Sequence, residues 1–266
     1  MNIFAEAARL EEQNRSFALA EIVECRGSTP RHTARMLIRE EGSIVGTIGG
    51  GMVERKVIDE ALEALREKVS RMFHGRMARG GGDAVGSDCG GAMSVWISVH
   101  CQRPRLLLIG GGHVNCAIAH AAAQLDFDIC VGDIYYGSLN PDNFPASVRL
   151  VHGTSFREVV DAMAIQPQDF VLIATNNQDR EALDRLIVQP VAWLGLLASR
   201  RKVQVFLRQM RENGVPEADI GRLRAPIGYD IGAETPNEIA ISVLAEILQV
   251  KNGASGGLMT HLREGE

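Results

Sequence analysis

Hydrophobic positions along this chain change period at intervals, and each change marks an element. The opening residues MNIFAEAARLEEQNR recur at helical spacing and predict an amphipathic helix. Residues 18–25 then read as a strand, and residues 35–39 and 43–47 predict a hairpin around Glu40, Glu41 and Gly42. A helix is predicted over 52–68, where Val53, Val57, Ala61, Leu62 and Leu65 fall at helical spacing. Residues 73–91 hold seven glycines and read as a loop, of a length that is more often functional than decorative. A strand over 92–99 closes this half.

Beyond Arg103 and Pro104 the pattern alters. Residues 105–109 are a continuous apolar run, as in a strand buried on both faces, and strand and helix then alternate through 114–125, 127–132, 156–163, 170–174, 179–188 and 191–197. Alternation of this kind implies parallel strands joined by crossover helices. After Gly232 comes a full helix-start signal: Thr235 as cap, Pro236 at the first position and Glu238 three residues after the cap. Ile239, Val243, Leu244, Ile247 and Leu248 form the apolar face of that helix, which is suited to meeting a second copy of the chain. The predicted fold class is α/β: a C-terminal Rossmann-like doubly wound parallel sheet preceded by a smaller glycine-rich α+β domain. The predicted domains are 1–102 and 104–251, followed by a flexible tail over 252–266.

Composition sharpens this picture at one point. The 266 residues include 28 glycines, against about 19 at an average usage of roughly 7%, and thirteen of the 28 lie between Gly27 and Gly91. The formal charge is −5 with no long basic run, which argues against a nucleic-acid or anionic-membrane surface. No apolar stretch reaches the roughly 18 residues of a membrane span, and the N-terminus lacks a signal peptide's apolar segment, so the expected compartment is the cytoplasm. The five cysteines, Cys25, Cys89, Cys101, Cys116 and Cys130, are odd in number and never spaced C-x-x-C, which indicates neither a disulfide framework nor a structural zinc site.

Three glycine clusters carry the candidate chemistry. Gly110, Gly111 and Gly112 follow a predicted strand and open a helix, with Gly110 and Gly112 at the first two positions of a dinucleotide fingerprint and Asn115 at the third. There backbone N–H groups and the helix dipole would meet a phosphate, and Asp133, about 20 residues on, would meet a ribose hydroxyl. The bland alternative is a tight turn with no nucleotide. Gly49, Gly50 and Gly51 open the 52–68 helix and suit either an oxygen-rich anion or a turn held open for packing. Cys89, among glycines and small residues, is the candidate accessible thiol, nucleophile or metal ligand. Ser199, Arg200, Arg201 and Lys202 follow a predicted parallel strand, at the edge where such sheets bind ligands, and His113 sits beside the second glycine turn. The fingerprint by itself suggests an NAD(P)-dependent oxidoreductase. A purely structural adaptor is a further alternative.

The residues also resemble a family. Gly27-Ser28-Thr29-Pro30-Arg31, Ala34-Arg35-Met36-Leu37, Gly46-Thr47-Ile48-Gly49-Gly50-Gly51 with Glu54, and Cys89-Gly90-Gly91 are similar to the N-terminal motifs of the XdhC/CoxI family, the xanthine dehydrogenase accessory proteins. Gly110-Gly111-Gly112-His113-Val114, Leu194 to Lys202, and Pro226 to Pro236 resemble its second half. The likeness runs in order over nearly the whole chain, and is nearest to the YqeB-like members linked to selenium-dependent molybdenum hydroxylases. Asn115, Ile134-Tyr135 and Ala198 depart from the family's usual residues. The resemblance implies a cofactor chaperone without net turnover. It would bind molybdenum cofactor, as molybdopterin or its dinucleotide, protect it while a sulfido ligand is installed, and hand it to a molybdenum hydroxylase, with a cysteine desulfurase as sulfur donor and a homodimeric state. By the same resemblance Cys89 would contact the metal or its sulfur, the Gly49, Gly50 and Gly51 turn an oxoanion or phosphate, and the Gly110 and Gly112 turn the phosphate or nucleotide end.

Overall fold

The computed structural model describes residues 2–27, 31–76, 91–175 and 178–261. They fall into two compact units, Met1–Gln102 and Arg103–Glu266.

Unit 1 runs α1 (Ile3–Glu12), β1 (Phe17–Arg26), β2 (Arg35–Arg39), β3 (Ile44–Gly46), α2 (Gly51–Glu67), β4 (Arg71–Arg76) and β5 (Ala92–His100). Its sheet has the order β3-β2-β1-β5-β4, with every neighbouring pair antiparallel. α2 lays Val53, Val57, Ala61 and Ala64 on one face of the sheet against Ala18, Ala20, Met36, Val95 and Ile97. α1 starts on Asn2, whose side chain accepts the Phe4 N–H at 3.0 Å, and sets Ala7 and Leu10 on the other face against Phe17, Leu37 and Val45. Burying a leucine such as Leu10 contributes about 2 kcal/mol. β4 corrects the loop predicted from Phe73: residues 73–76 belong to an edge strand paired with β5 from Arg71↔Ile97 to Arg76↔Ala92. The run R-M-F-H-G-R lacks a clear apolar alternation, so only its partner makes it a strand.

Unit 2 runs β6 (Arg105–Ile109), α3 (His113–Ala122), β7 (Asp128–Asp133), β8 (Arg149–His152), α4 (Phe156–Ala162), β9 (Phe170–Ile173), α5 (Asp179–Leu186), β10 (Trp193–Leu196), α6 (Arg200–Glu212), α7 (Glu217–Ile220), β11 (Leu223–Arg224) and α8 (Pro236–Asn252). All six strands are parallel, in the order β11-β10-β9-β6-β7-β8. The chain starts at the centre, winds outward through β7 and β8, then returns to β9 on the other side of β6. Alternate residues of β6 serve opposite faces, Leu107 and Ile109 with α4, α5 and α6, and Leu106 and Leu108 with α3 and α8. This is the doubly wound arrangement. Its ligand crevice lies outside the carboxyl ends of the strands, where the order reverses between β6 and β9. α8 has the full capping box: Thr235 accepts from the Glu238 N–H, and Glu238 accepts from the Thr235 N–H. Among the described residues no helix is long and apolar enough to cross a membrane.

Candidate functional site

The switch point is built by β6 ending in glycine. Gly110 has φ +103° and lies so close to the end of β9 that a Cβ there would be 2.3 Å from the Ala174 carbonyl oxygen. A Cβ on Gly111 would be 2.4 Å from the Ser138 carbonyl oxygen. These two glycines are therefore required by the fold. Gly112 differs: its φ is −74°, and a Cβ would meet nothing within 4 Å. It caps α3 without a side chain, and no acidic residue stands in the first turn. Among the described residues the N–H groups of Gly112, His113 and Val114 have no acceptor. Every other helix from α1 to α8 has a side-chain cap or a carboxylate in its first turn. A bare N-terminus carrying about half a positive charge is suited to an anion such as phosphate.

Around this turn the other candidates take distinct places. Asp133, at the end of β7 and 5% exposed, accepts the Gly111 N–H on Oδ2 at 2.6 Å and the Tyr135 N–H on Oδ1 at 2.9 Å, so the carboxylate shapes the turn it adjoins. His113 is exposed at the first position of α3. Asn115, in place of the fingerprint's third glycine, is buried and donates its amide to the carbonyls of Ile109 at 3.1 Å and Gly110 at 2.8 Å, tying α3 to the end of β6. Its Oδ1 is buried and has no hydrogen-bond partner among the described residues.

On the β9 and β10 side, Ser199 is the cap of α6 and accepts the Lys202 N–H at 3.3 Å. The Lys202 ammonium is held by fully buried Asp179, whose other oxygen takes the N–H and the hydroxyl of Thr175 at 3.0 and 2.6 Å. Lys202 thus holds the edge of the crevice together, whereas Arg200 and Arg201 are exposed. The Asp179 contact escaped sequence reasoning, although its signal is local. Thr154 and Glu158, at the end of β8, repeat the T-x-x-x-acid bond pattern, with N–H and hydroxyl both on one carboxylate oxygen at 2.8 and 2.6 Å.

In unit 1, Gly49, Gly50 and Gly51 have φ of 134°, 76° and 70°, a succession that side chains rarely adopt. The turn already holds an anion, the carboxylate of Glu54, which accepts from the Thr47 hydroxyl and from the N–H groups of Ile48 and Gly50, both at 3.1 Å. Burial pushes the Glu54 carboxyl up, but hydrogen bonds from Thr47, Gly50, Ile48 and Gly49 outweigh it, and the group lies below the usual carboxylate range. Among the described residues the N–H groups of Gly51 and Met52, at the start of α2, have no acceptor. Cys89 lies outside the described residues. Of the other thiols Cys130 is buried, Cys25 and Cys116 are half-buried and Cys101 is exposed. Among the described residues no three His, Cys, Asp or Glu side chains cluster as a metal site.

Residues 106–247 match the profile of the XdhC Rossmann domain, and residues 10–75 that of the XdhC and CoxI family. The chain belongs to the XdhC/CoxI family. Among its relatives, the Escherichia coli (strain K12) protein YqeB is 73% identical over 259 residues, covering 97% of this chain and 48% of that protein. A Bacillus subtilis (strain 168) protein named as a probable xanthine dehydrogenase subunit is 32% identical over 152 residues, 56% of this chain and 43% of that one. The chain thus spans about half the length of these two relatives. The E. coli molybdenum cofactor insertion chaperone PaoD is 24% identical over 264 residues, covering 88% of this chain and 83% of its own. A crystal structure described as a xanthine dehydrogenase from Bacillus halodurans shares the XdhC-type fold, with a TM-score of 0.52 at 19% identity over 95% of this chain and 96% of that one.

Proposed function

We propose that this protein is a maturation factor for a molybdenum hydroxylase of the xanthine dehydrogenase type. It binds molybdenum cofactor as cargo, shelters it while its sulfido ligand is installed, and releases it to the client. The names of two relatives, a molybdenum cofactor insertion chaperone and a probable xanthine dehydrogenase subunit, support this reading. The observation that carries it is the bare start of α3, where Gly112 leaves both N–H groups and space for the phosphate or pyrophosphate that ends the cofactor. The cargo supplies the molybdenum and its dithiolene, and the chain supplies recognition and shelter. In this reading Gly112 and His113 take the phosphate, Asp133 and Asn115 hold the turn in shape, and Asp179 with Lys202 fixes the opposite lip. The start of α2, beyond Glu54, takes an oxoanion, and Cys89 contacts the metal or its sulfur. A cysteine desulfurase delivers that sulfur, the client is a selenium-dependent hydroxylase, and the chain acts in the cytoplasm as a homodimer.

Native mass spectrometry of protein purified from molybdate-fed cells tests this. A co-purifying pterin with molybdenum, reduced in Cys89→Ala, is expected. A nicotinamide nucleotide in its place would replace the proposal with the oxidoreductase reading, for which the bond between Asp133 and Gly111 at the fingerprint turn is the structural support. Absence of any bound pterin together with normal client maturation by Cys89→Ala would refute it.

A further inference from the structure

Among the described residues of unit 1, α2 covers one face of the sheet, whereas α1 covers the other only over β1, β2 and β3. The uncovered part carries a row of side chains running across the strands. Arg35 on β2 is opposite Glu21 on β1, Glu21 is opposite Trp96 on β5, and Trp96 is opposite Met72 on β4. Phe4 reaches over from α1, with the Arg35 guanidinium carbon 5.7 Å from its ring centre. A guanidinium and a carboxylate, 2.5 Å apart, thus lie between two aromatic side chains, Phe4 at 59% and Trp96 at 39% exposure. Hollows open on both sides of the pair. The smaller, about 270 Å³, is bounded by Trp96 and Ser98, and the larger, about 450 Å³, runs past Ala34 to Gly46, where the glycine turn begins. An exposed ion pair adds little to stability, and two large exposed aromatics cost solvation, so folding alone does not account for the row.

We infer that this row binds a flat 2-amino-4-oxopyrimidine ring, the head group shared by pterins and guanine. One edge of that ring presents two adjacent N–H donors followed by a carbonyl acceptor. A carboxylate only accepts and a guanidinium only donates. Glu21 has one oxygen on Arg35 and no partner for the other among the described residues, and Arg35 keeps further N–H groups beyond the one given to Glu21. Side by side they offer acceptor, acceptor and donor, the complement of the ring edge. Phe4 and Trp96 supply faces on which such a ring stacks. Adenine fails the same test, because it sets an unprotonated ring nitrogen against the carboxylate. The inference stands on this row alone and needs neither the phosphate site on α3 nor Cys89. If the ring is the cofactor's pterin, unit 1 recognises the cargo's head group.

Calorimetric titration of the whole chain with pterin, GMP and AMP tests this. Pterin, GMP or both should bind roughly tenfold to a hundredfold more tightly than AMP, the range for one or two hydrogen bonds to charged groups. Glu21→Gln should remove that preference and leave AMP binding unchanged, and Trp96→Ala should weaken every ring. Both side chains of the ion pair are about half exposed, so melting temperatures close to wild type are expected for Glu21→Gln. Pterin binding alone points to a pterin as the natural ligand, and GMP binding alone to a guanine nucleotide. Equal affinity for GMP and AMP, or no ring binding at millimolar concentration, would overturn the inference. So would protein that carries intact molybdenum cofactor yet binds neither pterin nor GMP, a result that leaves the maturation reading standing.

Discussion

Gly112→Asp separates ligand binding from folding at the α3 turn. The backbone at Gly112, φ −74° and ψ 174°, is open to any residue, and a Cβ meets nothing within 4 Å. An aspartate here becomes the missing cap, accepts an orphan N–H and places a negative charge on the helix dipole. The capping gain over glycine is a few tenths of a kcal/mol and the dipole contributes about 0.3–1 kcal/mol, together about 1 kcal/mol of stabilisation. For a unit of this size that raises Tm by about 2–4 °C. The same carboxylate takes the place of a phosphate and repels it, so affinity for inorganic pyrophosphate should fall by about tenfold or more, equivalent to about 1.4 kcal/mol. Differential scanning fluorimetry and isothermal calorimetry read the two effects, which have opposite signs. Gly110→Ala is the contrast: its Cβ would be 2.3 Å from the Ala174 oxygen at a φ of +103°, and it should lose both fold and binding. A Gly112→Asp protein that melts lower than wild type, or binds pyrophosphate as well, would refute the assignment of this helix start as an anion site.

Other consequences are equally direct. Lys202→Met leaves Asp179 buried with, among the described residues, only Thr175 as partner and should cost about 3 kcal/mol, measured by urea unfolding, whereas Arg200→Met should change stability by about 0.5 kcal/mol or less. Hydrogen bonds from Arg9 and then Arg39 push the Glu6 carboxyl down to about 2 from its usual 4.5. The folded value lies below the unfolded one, so this stabilisation is complete above about pH 4.5 and is lost as pH falls toward 2. Glu6→Gln should flatten the fall in Tm across that window, and parallel curves for the two proteins would contradict it. Burial pushes the Cys130 thiol up to about 11, so iodoacetamide at pH 8 should leave it unmodified in folded protein while exposed Cys101 is alkylated, as read by peptide mapping.

Elements with a strong period were legible in the chain: β6 at 105–109 matched residue for residue, and α8 was announced by Thr235, Pro236 and Glu238. Of those missed, α6 had a local signal of its own, the Ser199 cap with Val203, Phe206 and Met210 at helical spacing, whereas three strands take their identity from a neighbour. β4 is a strand because β5 pairs with it, and short β8 and β11 are strands because β7 and β10 lie beside them. The candidate site divides in the same way. Local order marked the two glycine turns and Asp133, since a turn and its helix are contiguous in sequence.

By itself, then, the sequence determined the α/β class, the doubly wound second half and the glycine positions where backbone can approach a ligand, because period, caps and left-handed turns are set within a few residues. Tertiary structure decided which of these places stay open. Glu54 fills the turn before α2 and Asp179 claims Lys202, while Gly112 is left bare among the described residues. It also brought Glu21, Arg35, Trp96 and Phe4 into one row from three strands and a helix. A carboxylate whose donor lies far along the chain, as Lys202 does from Asp179 and Arg35 from Glu21, meets it through space, and residue spacing carries no record of that partner.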